Sequence, residues 1–353
     1  MIFSFLKRRS SAWGFSWFPA GLFIVFSSGC DGNATWMMKE ATGHPGEVVV
    51  VLPPAYVQEP NPVLDTLKAW FSRPMRVMLQ PEAFYKVFRI DDAHFGSVFK
   101  YHRNVLLVNL DAPKGTPMLA MQDNKWARRQ RVVQLNVQGE NGFQSAFREK
   151  REEIEALFYQ RDLERLMEDF EKNPASEAVA QVEKATGARL ALPAGFFCVD
   201  TGQAKAYVRH IAERSLPGGH RGVIERGILI QSGPYDQASR FSVGSFLSDF
   251  APVLRQKVHG AKDSTWMEVE PRVPCDSSAI SLNGAYGLRI RGLWRMHGEF
   301  KGGPFVGLRY FDPIKKKLFS VWAYVYAPAF NKRTYMFQVE AIARSVGPRP
   351  QPD

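Results

Sequence analysis

The chain has 353 residues, of which 45% are hydrophobic and 13% aromatic, so it can bury a substantial core. This composition excludes a largely disordered protein, and three cysteines are too few for a disulfide-stabilised scaffold. Lysine and arginine outnumber aspartate and glutamate by 46 to 35, and the resulting net charge of +11 favours anionic partners.

The first 29 residues have the three-part layout of a secretory signal. A basic segment precedes an apolar run of about ten residues, which is too short to span a bilayer. Small residues then lead to Cys30, an order typical of lipoprotein signals, in which the cysteine thiol accepts a lipid. We expect a lipid-anchored protein of the bacterial cell envelope, facing the periplasm or the cell surface. The outer membrane is the favoured location, although the signal does not fix which membrane or which face. The alternative is an ordinary signal peptide with an incidental cysteine.

Residues 30–46 are polar and contain glycine, which predicts a tether reaching roughly 20–25 Å. Loss of the signal lowers the net charge from +11 to +8. An exported protein seldom meets nucleic acid, so the expected partners are anionic lipid, cell-wall polymer, glycan or another envelope protein. The alternative is a basic surface that is simply solvated.

The first half of the folded part is predicted to cover residues 47–174. Apolar runs and alternation predict strands at 48–52, 84–90, 104–110 and 126–137. Helical spacing predicts a helix in PVLDTLKAWF and a long one from Phe143 to Phe170. The Asn-Pro pair at 173–174 ends this helix and marks a boundary.

The second half is predicted to cover residues 175–347, before a disordered tail at 348–353. Helices are predicted at 177–186, 243–258 and 332–345. Strands are predicted at 195–200, 226–231, 285–296, 304–312 and 317–328. The pattern indicates an α+β fold of antiparallel sheets covered by helices. The similar order of elements suggests, as a hypothesis, two related α/β-layer halves.

The sequence contains no recognised catalytic motif. The seven histidines are scattered, with no HExxH or paired CxxC, so no metal site is predicted and no cofactor is expected. No GxSxG or phosphate loop occurs, and Ser242 fits a helix cap better than a nucleophile. Cys198 and Cys275 fit either one disulfide or two buried thiols.

The string LRIRGLWRM carries the strongest candidate binding site. Alternation places Arg289, Arg291 and Arg295 on one side of a strand and Trp294 on the other, within a segment expected to contact a partner. Lys332 and Arg333, before the last helix, extend this candidate surface. The alternative is an ordinary half-exposed sheet whose arginines are balanced by acidic residues.

These features favour a non-catalytic binding or scaffold protein for an anionic envelope partner. The alternative is a hydrolase of envelope glycans or peptides, with Glu299 and His297 as acid and base in the loop HGEFKGGPF. An enzyme would need a cleft in which two or more titratable groups converge.

Six strings spread along the chain carry a family resemblance: ATGHPGEVVVV, HRNVLLVNL, NKWARRQRVV, RGILIQSGPY, LNGAYGLRIRGLWRMHGEFKGGPFVGLRY and VYAPAFNKRTYMFQVEAI. With them the chain resembles a family of bacterial lipoproteins catalogued only as domain of unknown function 4837. The resemblance implies an envelope lipoprotein, and it implies no activity, ligand or catalytic residue.

Overall fold

Two sheets built from thirteen strands, together with six α-helices, form the part of the chain that the structure, a computed structural model, describes: residues 38–282 and 284–346. The predicted signal peptide, Cys30 and the tail at 348–353 lie outside the described residues. Within these ranges, no helix combines the length and apolarity needed to cross a bilayer.

The helices are α1 (Pro62–Phe71), α2 (Ser97–Lys100), α3 (Gly139–Lys172), α4 (Ser176–Thr186), α5 (Val243–Lys257) and α6 (Arg333–Arg344). The first sheet contains β1 (Glu47–Leu52), β2 (Lys86–Asp91), β3 (Asn104–Asn109), β4 (Leu119–Asp123) and β5 (Arg131–Asn136). The second contains β6 (Phe197–Gly202), β7 (Lys205–Ser215), β8 (Arg221–Gly233), β9 (Trp266–Val269), β10 (Asp276–Leu282), β11 (Ala285–His297), β12 (Gly302–Asp312) and β13 (Lys317–Tyr326).

Strong local signals set the bounds of α1. The Asn61 side chain accepts hydrogen bonds from the backbone N–H groups of Val63 and Leu64, and Pro62 occupies the first turn. The apolar stripe predicted for this helix is buried. The hydroxyl of Ser242 accepts a hydrogen bond from the Ser245 N–H at the start of α5, so its predicted role as a cap is confirmed.

The first sheet has the order β2-β1-β3-β5-β4 and is mostly parallel. β1 pairs in parallel with β2 and β3, and β3 with β5, whereas β4 is antiparallel to β5. All six residues of β1 are buried, as expected for a parallel strand covered on both faces. This sheet therefore differs in strand direction from the predicted arrangement, because α1 and α2 are crossover connections between parallel strands.

The second sheet has the order β10-β11-β12-β13-β8-β7-β6, with β9 added beside β11, and every pairing is antiparallel. Consecutive strands such as β11, β12 and β13 are neighbours joined by short turns. Each turn therefore lies at one of two opposite ends of the sheet.

A shared core joins the two sheets. One face of each sheet, together with residues of α1, α3, α4 and α6, contributes to the same cluster of buried apolar side chains. A second cluster lies beneath α5 on the other face of the larger sheet, and a third covers the outer face of the first sheet. The chain passes from α3 to α4 between residues 172 and 176 without interrupting the shared core.

The predicted α+β class is confirmed by the thirteen strands and six helices. The two sheets nevertheless differ in strand number, order and direction. The halves therefore do not repeat one folding unit, and their likeness is limited to the order of elements.

Candidate functional site

Two arginines of β11, Arg289 and Arg291, point towards the interior of the protein. Arg291 is buried, and its Nη2 donates to Glu340 Oε2 and to the Tyr159 hydroxyl, each at 2.7 Å. Arg289 Nη1 and Arg344 Nη2 reach Glu340 Oε1 at 3.4 and 3.1 Å. These contacts arise because this side of β11 faces α6. The arginines are thus balanced by an acidic residue, which is the alternative that the sequence left open.

Electrostatics keep the Glu340 cluster charged. Burial by itself raises the pKa of Glu340, but the nearby arginines, Arg291 foremost, lower it well below its ordinary value. Burial likewise lowers the pKa of Arg291, and this effect is outweighed by Tyr159 and Glu340, which raise the pKa. The cluster therefore stabilises the contact between β11, α3 and α6.

The other predicted binding residues lie in separate places. Arg295 pairs with Glu268 of β9 at 2.7 Å, and Trp294 is buried under α5, with its Nε1 donating to the Val325 carbonyl. The backbone N–H groups of Lys332 and Arg333 donate to the Glu82 carboxylate at 2.7 and 2.8 Å.

Glu82 thus caps the start of α6 from a distant loop, because the positive end of a helix dipole favours a negatively charged side chain. Burial lowers the pKa of Lys332. The structure does not bring the six predicted binding residues together on one open surface.

Glu299 and His297 also have separate partners. Glu299 Oε1 accepts a hydrogen bond from the Thr265 hydroxyl at 2.8 Å, and this bond lowers the pKa of the carboxyl. The His297 ring stacks on Trp266 at a centroid distance of 4.0 Å and lies 3.7 Å from Glu268. No contact joins Glu299 to His297 among the described residues. The geometry favours a role for both side chains in holding two loops together.

A further cluster of titratable groups lies on the α5 face of the larger sheet. The Tyr324 hydroxyl donates to Glu225 Oε1 at 2.6 Å, and Arg209 and Lys301 pair with the same carboxylate at 3.1 and 3.2 Å. Burial raises the pKa of Glu225, but Lys301, Tyr324 and Arg209 lower it below its ordinary value. Tyr324, Arg209 and Lys301 are all paired with Glu225, so the cluster stabilises the sheet.

No group of three His, Cys, Asp or Glu side chains in the described ranges could hold a metal ion. Cys198 and Cys275 are free thiols, which settles the alternative left open by the sequence. Burial raises the pKa of both thiols.

A groove lined by aromatic side chains is the candidate binding site that the structure adds. It has a volume of about 550 Å³ and is lined by Tyr235, Phe241, Tyr286, Phe311 and Pro313, with two alanines. Ring centroids lie 4.8 Å apart for Tyr235 and Phe311, and 5.0 Å apart for Phe241 and Tyr286. We call this feature the aromatic groove.

Antiparallel pairing explains why these rings meet. Phe311 is the last residue but one of β12, and Tyr286 is the second residue of β11. Tyr235 follows the end of β8, and Phe241 precedes α5. Residues at these strand ends converge on one end of the sheet. Tyr235 is 39% exposed and Tyr286 55% exposed, so their ring surfaces are open to a ligand.

A basic turn follows the groove in the chain. Pro313 lines the groove, Ile314 is 86% exposed, and three exposed lysines at 315–317 lead into β13. No ion pair to a described acidic residue is formed by any of the three. Lys315 Nζ donates to the Gly187 carbonyl at the end of α4. We call Lys315, Lys316 and Lys317 the basic turn.

The sequence contained signals for this end of the sheet. The loop SGPYDQ and the turn DPIKKK are visible turn segments with an exposed aromatic or lysine residues. Their proximity depends on strand order, however, and the four rings are spread over residues 235–311.

Comparison with known protein families finds two matching regions. Residues 175–345 match Domain of unknown function (DUF4837), and residues 41–171 match Domain of unknown function (DUF8532). The two matches meet at the connection between α3 and α4. No curated protein matches the chain. The resemblance to domain of unknown function 4837 is thus confirmed over residues 175–345, which hold α4, the whole second sheet, α5 and α6.

Proposed function

We propose that this protein is a lipid-anchored envelope lipoprotein that binds an anionic envelope glycan at the end of the second sheet that carries the aromatic groove. The observation that supports this function is the groove itself, with two half-exposed tyrosines beside two further rings. Anchoring through Cys30 is supported by the sequence pattern at residues 1–30.

The lining of the groove suits a sugar ring. Aromatic rings offer flat apolar surfaces against which the C–H faces of sugars pack, and tyrosine hydroxyls add hydrogen bonds at the edge. Ligand sites are commonly concave and largely apolar, with few polar groups. A groove of about 550 Å³ has room for one or two sugar residues of a longer polymer that enters and leaves through its open sides.

Charge favours an acidic glycan over a neutral one. The basic turn continues from the wall of the groove and has no acidic partners among the described residues, whereas each of the three arginines of β11 is paired with a glutamate. Carboxylate or phosphate groups on a polymer held in the groove could therefore pair with these lysines. In this proposal, the anionic partner expected from the composition binds the lysines of the basic turn and not the arginines of β11.

Replacing Tyr235 and Tyr286 together by alanine should weaken binding of a galacturonic acid oligomer by about tenfold or more. If a ring stacked on a sugar contributes as much as a ring stacked on another ring, each tyrosine supplies roughly 0.5–1.5 kcal/mol, and about 1.4 kcal/mol corresponds to a factor of ten. Titration calorimetry on the full chain in detergent measures the change. Phe300→Ala, which removes an exposed ring elsewhere, is the matched control. An unchanged Kd for the double variant would contradict the proposed site.

Replacing the three lysines of the basic turn by glutamine should weaken binding of the same oligomer and flatten its salt dependence. Screening acts on exposed charge pairs, so fewer pairs mean a smaller loss of affinity at high salt. The matched control removes three exposed lysines elsewhere: Lys86, Lys114 and Lys262. If both triple variants lose affinity equally, overall charge and not the basic turn governs binding.

A further inference from the structure

A second pocket lies beside the aromatic groove, between the second sheet and α5. It has a volume of about 290 Å³, close to the lower end of the range found for small-molecule sites. Its lining is mainly polar and includes Lys205, Gln231, Ser232, Arg240, Ser248 and Asp249. We call this feature the polar pocket.

Strand register explains why polar side chains meet at this place. Lys205 of β7 lies opposite Gln231 of β8, which lies opposite Ser320 of β13. Ser320 in turn lies opposite Arg309 of β12. Side chains of cross-strand partners share one face of a sheet, so these four residues form a polar row. Gln231 and Arg309 both donate to Asp249 of α5, which places the row beneath this helix.

The polar pocket carries more positive than negative charge. The fully buried Arg309 donates to Asp249 Oδ2 at 2.6 Å, and Arg240 shares this carboxylate at 3.2 Å. Burial lowers the pKa of Arg309, an effect that Asp249 opposes and the neighbouring Arg240 reinforces. Asp236 lies 3.9 Å from Arg240, and Lys205 forms no ion pair with a described acidic residue. Three cations therefore face two carboxylates, which leaves one positive charge for a ligand.

Two polar groups at the pocket are available to a ligand. The Arg240 side chain is 29% exposed, and its Nε has no hydrogen-bond partner among the described residues. Pro252 within α5 has no N–H, so the Ser248 carbonyl lacks the donor that an α-helix normally supplies. A cationic donor beside a backbone acceptor suits a ligand that has both a carboxylate and hydroxyl groups.

The polar pocket and the aromatic groove are neighbours. Arg309 and Phe311 lie two residues apart on the same face of β12, about 7 Å along the strand. Arg240 at the pocket directly precedes Phe241 at the groove. Leu318, which also lines the pocket, directly follows the basic turn. The aromatic groove, the basic turn and the polar pocket therefore lie together at one end of the sheet.

We propose that the polar pocket is a subsite for the carboxylate of a uronic acid residue, an inference that rests on the proposed glycan binding at the aromatic groove. The Arg240 guanidinium and the Lys205 ammonium group donate to the carboxylate, and the Ser248 carbonyl accepts from a sugar hydroxyl. A neighbouring sugar of the same polymer packs on the rings of the groove. A carboxylate neutralises the one excess charge, whereas a phosphate monoester carries nearly two negative charges.

Binding of an acidic oligomer and of its uncharged form tests the subsite. Titration calorimetry on the full chain compares a galacturonic acid oligomer with the same oligomer methyl-esterified at every carboxylate. Replacing Arg240 and Lys205 together by glutamine should weaken binding of the acidic oligomer by about tenfold or more and leave binding of the ester nearly unchanged. Lys205→Glu should also weaken binding of the acidic oligomer, and because Lys205 is exposed this variant keeps the fold.

A matched pair of substitutions and the parent protein complete the experiment. Replacing Arg221 and Lys114 by glutamine removes two exposed cations elsewhere and should leave the ratio of the two Kd values close to that of the parent. Pocket variants that keep the parent's ratio, or lose it only as much as this control, overturn the subsite and leave the groove intact. A parent that binds neither oligomer overturns the proposed function, and the subsite with it. Circular dichroism identical to that of the parent confirms that the variants are folded.

Discussion

Glu340→Gln is expected to lower the free energy of unfolding by about 3–5 kcal/mol, the range found when one partner of a buried ion pair is removed. Glu340 is fully buried and accepts from Arg291, Arg289 and Arg344. Without the carboxylate, the buried Arg291 guanidinium keeps Tyr159 as a hydrogen-bond acceptor but loses its countercharge. Urea unfolding of the full chain, followed by circular dichroism, measures the loss.

Two comparisons sharpen this experiment. Glu213→Gln removes an exposed partner of Arg221 and should change stability by less than about 1 kcal/mol. The pKa of Glu340 is lowered on folding, so its stabilisation is present above the ordinary carboxyl pKa and is lost as the pH falls towards the folded value. The parent should therefore lose stability more steeply below about pH 4.5 than Glu340→Gln. Parallel pH profiles of the parent and the variant would show that Glu340 does not cause the loss of stability at low pH.

Asp162→Ala is expected to destabilise the first sheet by a similar amount, about 3–5 kcal/mol. The Asp162 side chain has no exposed surface. Its Oδ2 accepts from the Gly46 N–H at 3.0 Å and from Asn104 Nδ2 at 3.1 Å, and its Oδ1 accepts from Arg165 Nη1 at 3.0 Å. Removing the carboxylate leaves a buried arginine and two buried donors without this acceptor.

Asp169→Ala provides the matched control on the same helix. Asp169 lies two turns further along α3, is 43% exposed and pairs with Arg129 and Lys172. Its removal should cost less than about 1 kcal/mol, because solvent replaces the lost contacts. Equal losses of stability for the two variants would mean that burial does not determine how much Asp162 contributes to the free energy of unfolding. Hydrogen exchange should locate the weakening at β1 and β3, which Asp162 joins to α3.

The two buried carboxylates explain how regions matching different families form one folded unit. Asp162 and Tyr159 lie one turn apart on α3, so this helix connects the first sheet with the Glu340 cluster of α6. Arg129 and Arg131, which also carried sequence alternation, pair with Asp169 and Asp123. Many arginines are thus paired with acidic residues, whereas the lysines of the basic turn form no ion pair within the part of the chain that the structure describes.

The sequence by itself determined the elements whose patterns are local. The buried run of β1, the apolar stripe of α1, the long amphipathic α3 and the alternation of β11 are all present as predicted. Such patterns persist because periodicity of 3.6 or two residues follows directly from backbone geometry. In contrast, β7 was missed, since much of its exposed half is polar or charged.

Only the tertiary structure decided which side of an alternating strand faces solvent. Arg291 meets Glu340 across 49 residues of sequence, and alternation cannot reveal that the arginine side of β11 lies beneath α6. The aromatic groove likewise depends on strand order, which brings Tyr235, Tyr286 and Phe311 to one end of the sheet. Local spacing fixes which side chains share a face, whereas burial and charge pairing depend on the partner that folding places opposite.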